Sequence, residues 1–158
     1  KEKEKMTTEL LEFDEFIDDV AGVLKVEEGE VKRNGRHVLY KDHLGLHTIG
    51  YGRLLDISKP GAGLTDEEAD YLLDTDILNM VDELDSKLPW WRELPYNPRK
   101  ALLLMSFQLG MPTLLKFKNM LKELEEKNYA SAAENALDSR WARQTPARAE
   151  RVAKLIRG

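Results

Sequence analysis

The chain changes its hydrophobic period abruptly at Glu28-Gly29, and that switch limits the folds open to it. Upstream, Leu10, Leu11, Phe13, Phe16, Ile17, Val20 and Leu24 recur at helical spacing. Thr8 is a candidate N-cap for that helix, Gly29 is a stop signal, and Gly22 is a point where one helix could divide into two. From 31 to 56 the pattern becomes that of short strands. Val38-Leu39-Tyr40 reads as a strand, His43-Leu44-Gly45 as a turn and His47 to Tyr51 as a second strand. Arg33-Asn34-Gly35-Arg36 resembles an earlier hairpin turn, because Asn-Gly favours the type I′ geometry. A small antiparallel sheet is the economical reading, followed by a loop at Ser58–Gly63.

Beyond the loop the helical period returns. Thr65 is placed as an N-cap, with Glu68 three residues on and acids in the first turn, so a helix is expected from there to about Ser86. Pro89, Pro95 and Pro98 bracket a connection that carries Trp90 and Trp91, one expected in the core and the other at the surface. Ala101 to Leu109 is apolar nearly all round and reads as a buried central helix, ended by Gly110 and Pro112. Helical stretches at 114–127, 129–137 and 146–157 complete the chain. The fold class is α+β: a small antiparallel sheet lobe joined by a long helix to an all-helical lobe. The expected boundaries are an acidic N-terminal extension at 1–20 and one domain at 21–158. Within that domain, 21–64 forms the small lobe, 65–86 the connecting helix and 87–158 the helical lobe.

A chain of 158 residues can bury enough surface to fold without staples. It contains no Cys, which removes thiol chemistry, zinc ribbons and disulfide frameworks. No apolar run reaches the roughly 20 residues of a membrane span, and no signal peptide is expected at its start. The net charge of −5 is unevenly placed. Residues 1–20 hold three Lys against eight acids, whereas 139–158 holds five Arg and one Lys against Glu150 alone. The acidic total and the lack of binding motifs argue against nucleic acid as a partner.

The run Tyr40–Gly52 (YKDHLGLHTIGYG) follows closely on Glu28 and contributes Asp42 and Thr48. Two carboxylates and a hydroxyl brought together by a Gly-punctuated hairpin suit glycosidic hydrolysis. That reaction needs one protonated acid for the leaving oxygen and an ionised group opposite it to direct water. Gly50 and Gly52 are side-chain-free positions that would let a bulky sugar approach the backbone. Trp141 reads as core. His37, His43 and His47 fall close together, but their spacing matches no zinc signature, so no metal and no cofactor are expected. His43 and His47 are read as residues at the edge of the site that tune its pH dependence.

Six blocks then occur in one order: Glu28-Gly29, Tyr40-Lys41-Asp42, Thr48–Gly52, Thr65–Ala69, Phe107–Gly110, and Ser139-Arg140-Trp141 with Gln144-Thr145-Pro146 and Arg148. In these the chain resembles the lysozymes of the T-even phage type, glycoside hydrolase family 24, over about residues 21–157. The resemblance implies that Glu28 is the general acid and that Asp42 and Thr48 position the attacking water. It implies that Arg148 pairs with the surroundings of the acid, and that Leu54, Phe107, Gln108 and Asn135 line the saccharide cleft. It further implies cleavage of the β-1,4 bond between N-acetylmuramic acid and N-acetylglucosamine in peptidoglycan, with inversion. Met120 stands where a small polar residue of the family touches saccharide, Arg53 stands where a His is expected, and the acidic extension has no counterpart.

Two other functions compete with a muramidase. A lytic transglycosylase would use a lone acid and leave an anhydro-muramyl end, with no need for Asp42 or Thr48. A non-catalytic peptidoglycan-binding module of a virion would keep the fold without turnover. The expected setting is either the host cytoplasm until a holin opens the inner membrane, giving access to the periplasmic cell wall, or the virion itself. A monomer is the default state, alone or as part of a larger virion protein.

Overall fold

A computed structural model describes all residues from Lys1 to Gly158, in two compact units, Lys1–Glu67 and Glu68–Gly158. The first unit opens with α1 (Glu2–Glu28), a single uninterrupted helix. Gly22 does not divide it: one glycine in a helix interior costs only about 1 kcal/mol, and the apolar period runs straight through it. Nor does Thr8 cap it, because its hydroxyl lies mid-helix and donates to the Glu4 carbonyl at 2.9 Å. The helix does stop at Gly29, in the left-handed region with φ +69°.

Two small antiparallel sheets follow. In the first, β1 (Lys32–Arg33) pairs with β2 (Arg36–His37) across Asn34 and Gly35. Both turn residues have positive φ, as a type I′ turn demands. The second has the order β3 (Tyr40–Lys41), β4 (His47–Ile49), β5 (Arg53–Leu54). Val38 and Leu39 are not part of the strand that holds Tyr40; the Val38 amide instead donates to the Val31 carbonyl at 3.2 Å, closing the first hairpin. The strand begun at His47 stops at Ile49, where Gly50 and Gly52 reverse the chain into the unanticipated β5. Runs of two or three residues carry too little period-2 signal to fix their ends.

The second unit is helical. Following directly on Thr65, α2 (Asp66–Lys87) leads into it, and a 3-10 turn (Trp91–Glu93) then reaches α3 (Tyr96–Leu109). After these come α4 (Met111–Leu114), α5 (Lys118–Glu125), α6 (Tyr129–Leu137), α7 (Arg140–Gln144) and α8 (Pro146–Arg157). The core gathers Leu84, Leu102, Met105, Leu114, Leu124 and Ile156, with Ala132, Ala133, Ala136, Ala149 and Ala153 where α6 packs on α8. Small side chains at that contact let the two helices approach closely. Pro98 does not precede α3 but sits in its first turn, where its missing N–H has no helical partner to lose. The same helix is not apolar-buried all round, since Leu104 and Phe107 are exposed. Pro112 begins α4 instead of ending α3, and the stretch expected at 114–127 divides between α4 and α5. The sequence reading missed α7, which Ser139 opens by accepting from the Ala142 amide at 3.1 Å. Trp91 is buried and donates to Asp85 at 2.7 Å, while Trp90 packs half-buried against the core. No helix is long and apolar enough to cross a membrane.

Candidate active site

The second sheet arranges its even-numbered residues in one row. Tyr40 faces Thr48 and Thr48 faces Leu54 across the strands, so these three share a face. Side chains alternate along a strand, which carries the same face on to Asp42, Leu46 and Gly52. All six line one pocket of about 490 Å³, together with Glu28, Lys41 and His43. Glu28, Asp42, Thr48 and Leu54, singled out from sequence, are thus brought together.

Each is held differently. Glu28 is the last residue of α1 and is exposed, and within the first unit its carboxyl has no hydrogen-bond partner. Its closest constraint is steric: a Cβ built on Gly52 would lie 2.8 Å from Glu28 Oε2. Gly52 therefore makes room for the Glu28 carboxyl. A Cβ on Gly50 would meet nothing within 4 Å.

Asp42 follows β3 and is fixed by the tight loop to β4. Its Oδ1 accepts from the Leu44 and Leu46 amides, both at 2.9 Å, and its own amide donates to the Leu46 carbonyl at 3.0 Å. An Asp that caps its own turn in this way has a defined orientation, with Oδ2 left for another donor. Thr48 is buried at 3% exposure, and its hydroxyl donates to the Leu46 carbonyl at 3.0 Å. With the proton so committed, the oxygen's lone pairs remain as acceptors toward the pocket. A carboxylate and a hydroxyl oxygen on one rigid row, facing a second carboxyl, can hold and deprotonate a water near a bond that the other carboxyl protonates.

The second-unit candidates are placed as follows. Phe107 is exposed on α3. Its neighbour Gln108 accepts from Trp141 Nε1 at 2.9 Å, a bond that fixes the amide and anchors the buried Trp141. Asn135, on α6, lines a smaller pocket of about 240 Å³ with Thr113, Lys116, Phe117, Asn119 and Asp138. Met120 borders that pocket but is a core residue at 1% exposure. Arg148 is exposed in the first turn of α8.

The sequence reading missed Tyr40, Leu46 and Lys41 as pocket residues, although sheet parity could have supplied the first two. It also missed Asp56. This carboxylate accepts from the Ser58 hydroxyl at 2.5 Å, the His47 amide at 3.0 Å and the Ser58 amide at 3.1 Å. Those bonds, the Ser58 hydroxyl foremost, hold its pKa down at about 2. His47 Nδ1 lies 3.4 Å from it. Asp56 thereby ties the start of β4 to the segment after β5, and the signal was local: Asp-Ile-Ser forms an Asx turn. His47 belongs to this tie and not to the pocket lining, whereas His43 does line the pocket.

The sequence model of the phage lysozyme family matches residues 31–157, which include Asp42 and Thr48 and begin just after Glu28. The chain belongs to the phage lysozyme family. Probable T4-type lysozymes 1 and 2 of Dictyostelium discoideum are 28% and 29% identical to it, over 89% of this chain and 95% of theirs. The pre-baseplate central spike protein Gp5 of Enterobacteria phage T4 is 28% identical over 87% of this chain, a match that occupies 27% of that larger protein. As a lysozyme, the chain is a glycoside hydrolase whose substrate is peptidoglycan, and its α+β architecture is the one the family uses.

Proposed function

We propose that this lysozyme cleaves the β-1,4 bond from N-acetylmuramic acid to N-acetylglucosamine with inversion, Glu28 acting as general acid and Asp42 with Thr48 directing the water. The protonated Glu28 carboxyl gives its proton to the glycosidic oxygen as the bond from that oxygen to the anomeric carbon breaks. A water accepted by the Thr48 oxygen loses a proton to Asp42 Oδ2 and attacks the anomeric carbon from the opposite face. Such a geometry calls for carboxyls roughly 6.5–9.5 Å apart, wide enough to admit that water.

The observation that carries this reading is the shared pocket, in which the sheet row of Asp42, Thr48 and Leu54 meets the Glu28 carboxyl against Gly52. Saccharide contacts by Leu54, Phe107, Gln108 and Asn135, and a tuning role for Arg148, rest on the family resemblance. Cell-wall degradation by a phage, as a free endolysin or from the virion, is supported by the likeness to the phage T4 spike protein. Detection of the chain in purified virions by mass spectrometry would establish the second placement.

Glu28→Gln should abolish clearing of chloroform-treated Gram-negative cells while the protein stays folded by circular dichroism. Undiminished lysis by that variant would overturn the assignment. Product analysis separates hydrolysis from transglycosylation: reducing ends of the α anomer are expected at early times, and anhydro-muramyl ends would refute the role of water.

A further inference from the structure

No hydrogen bond within the first unit holds the Glu28 carboxyl, so its position depends on where α1 ends and on what stands against it. The two segments that meet at this point are tied a second time. Glu30 lies two positions past Glu28, and Tyr51 lies next to Gly52, the glycine that the Glu28 carboxyl adjoins. The Glu30 carboxylate accepts from the Tyr51 hydroxyl. Segment 28–30 and the turn at 51–52 therefore touch at two neighbouring places, one steric and one polar.

The first hairpin completes the tie. Lys32 and His37 stand opposite each other across β1 and β2, so both side chains leave the same face. Lys32 Nζ is 3.4 Å from Glu30 Oε1, and His37 Nε2 is 3.5 Å from Glu30 Oε2. His37 Nδ1 is buried without a partner, which leaves Nε2 as the nitrogen that makes a polar contact. The His37 ring also meets the Tyr51 ring edge-on, with centroids 5.0 Å apart at 72°, an arrangement that ring quadrupoles favour. From α1, one turn before Glu28, Lys25 Nζ stands 5.4 Å from the centroid of the same Tyr51 ring, within cation–π range. Burial disfavours the ionised form of Glu30, but the bonds from Tyr51 and Lys32 and the charge of Lys32 outweigh it and hold the carboxyl below its ordinary pKa. Glu30 is thus an ionised acceptor at neutral pH.

We infer that Glu30 and Tyr51 are positioning residues for Glu28, a brace that sets the end of α1 against the turn carrying Gly52. The hairpin does not need this brace in order to close, because the β1–β2 pairing and the bond from the Val38 amide to the Val31 carbonyl already close it. What the cluster adds is a link between the last turn of α1 and the turn after β4. A general acid must stand within hydrogen-bond reach of the oxygen it protonates, and a misplacement of about 1 Å can cost on the order of 100-fold in rate. Neither Glu30 nor Tyr51 lines the pocket shared by Glu28, Asp42 and Thr48, so each acts through Glu28. The inference rests on the reading of Glu28 as the general acid.

Initial rates on purified peptidoglycan over a concentration series, beside thermal melts, test the brace. Glu30→Ala should lower kcat by about 10-fold with KM nearly unchanged, as for an acid displaced by a fraction of an ångström. Glu30→Gln keeps an oxygen that accepts from Tyr51 and should recover most of the kcat that Glu30→Ala loses. Tyr51→Phe deletes the hydroxyl and keeps the ring that His37 and Lys25 contact, so it probes the bond without emptying the packing. It should lower kcat too, and adding it to Glu30→Ala should cause no further loss, because the two act through one link. Unchanged kcat in Tyr51→Phe and Glu30→Ala beside a lowered Tm, or losses that multiply in the double variant, would overturn the inference. Full lysis by Glu28→Gln would instead remove the acid role itself, whereas an inactive Glu28→Gln beside an unimpaired Glu30→Ala would sink the brace alone.

Discussion

Replacing Gly52 by Ala sets a methyl carbon 2.8 Å from Glu28 Oε2, closer than real Cβ contacts come, at a residue whose φ is +79°. Two costs follow. Holding a residue with a Cβ in the left-handed region takes about 1–2 kcal/mol. The overlap must also be relieved, and the carboxyl is the softer partner because it ends a flexible side chain. It should therefore move by several tenths of an ångström to about 1 Å, a displacement that can cost on the order of 100-fold in rate when the group must meet a reacting atom. Gly50→Ala isolates the first cost, because Gly50 also has positive φ, +63°, but a Cβ there meets nothing within 4 Å. Both variants should lose a similar roughly 2–8 °C in Tm, at the 2–4 °C per kcal/mol of a chain this long. Only Gly52→Ala should lose turnover, by about 10- to 100-fold, with KM nearly unchanged. The assay is initial-rate clearing of purified peptidoglycan over a concentration series, beside thermal melts of the same preparations. Equal loss of activity in the two variants, or full activity in Gly52→Ala, would refute a role for this glycine in seating the Glu28 carboxyl.

Three further outcomes are expected. Thr48→Val keeps the buried branched shape but removes the oxygen, so the melt should shift little while turnover falls by about 100-fold or more, as for loss of a group that directs proton transfer; full turnover would remove Thr48 from the mechanism. Asp56 has its pKa lowered from an ordinary 3.8 to about 2, so it favours the folded state above pH about 4 and stops doing so as pH falls toward 2. The Tm gap between the unsubstituted protein and Asp56→Ala should therefore be full at pH 5 and shrink as pH falls from about 4 through about 2, and a gap independent of pH would show that folding does not lower the pKa of Asp56. Trp141→Phe deletes the donor to Gln108 and should destabilise the second unit by about 1–2 kcal/mol, read as a lower denaturant midpoint; an unchanged midpoint would mean that the bond contributes nothing net.

The sequence by itself determined whatever a few neighbouring residues decide. Asn34-Gly35 set a type I′ turn because both residues tolerate positive φ, and Gly29 stopped α1 for the same reason. The bounds of α6 and α8 agreed with the sequence reading because a strong apolar period and a leading proline or loop residue lie within each window. The grouping of Asp42 with Thr48 was legible as well, since a short hairpin allows few registers. Tertiary structure alone decided the contacts made between distant parts of the chain. Glu28 and Gly52 belong to different elements, and nothing in either neighbourhood says that the glycine must be empty for the carboxyl's sake. Trp141 and Gln108 lie 33 positions apart, and their bond exists because α3 and α7 are packed into one helical body. Local propensity reaches about one helical turn or one strand pair, so a constraint that acts across elements becomes visible only when the chain has closed on itself.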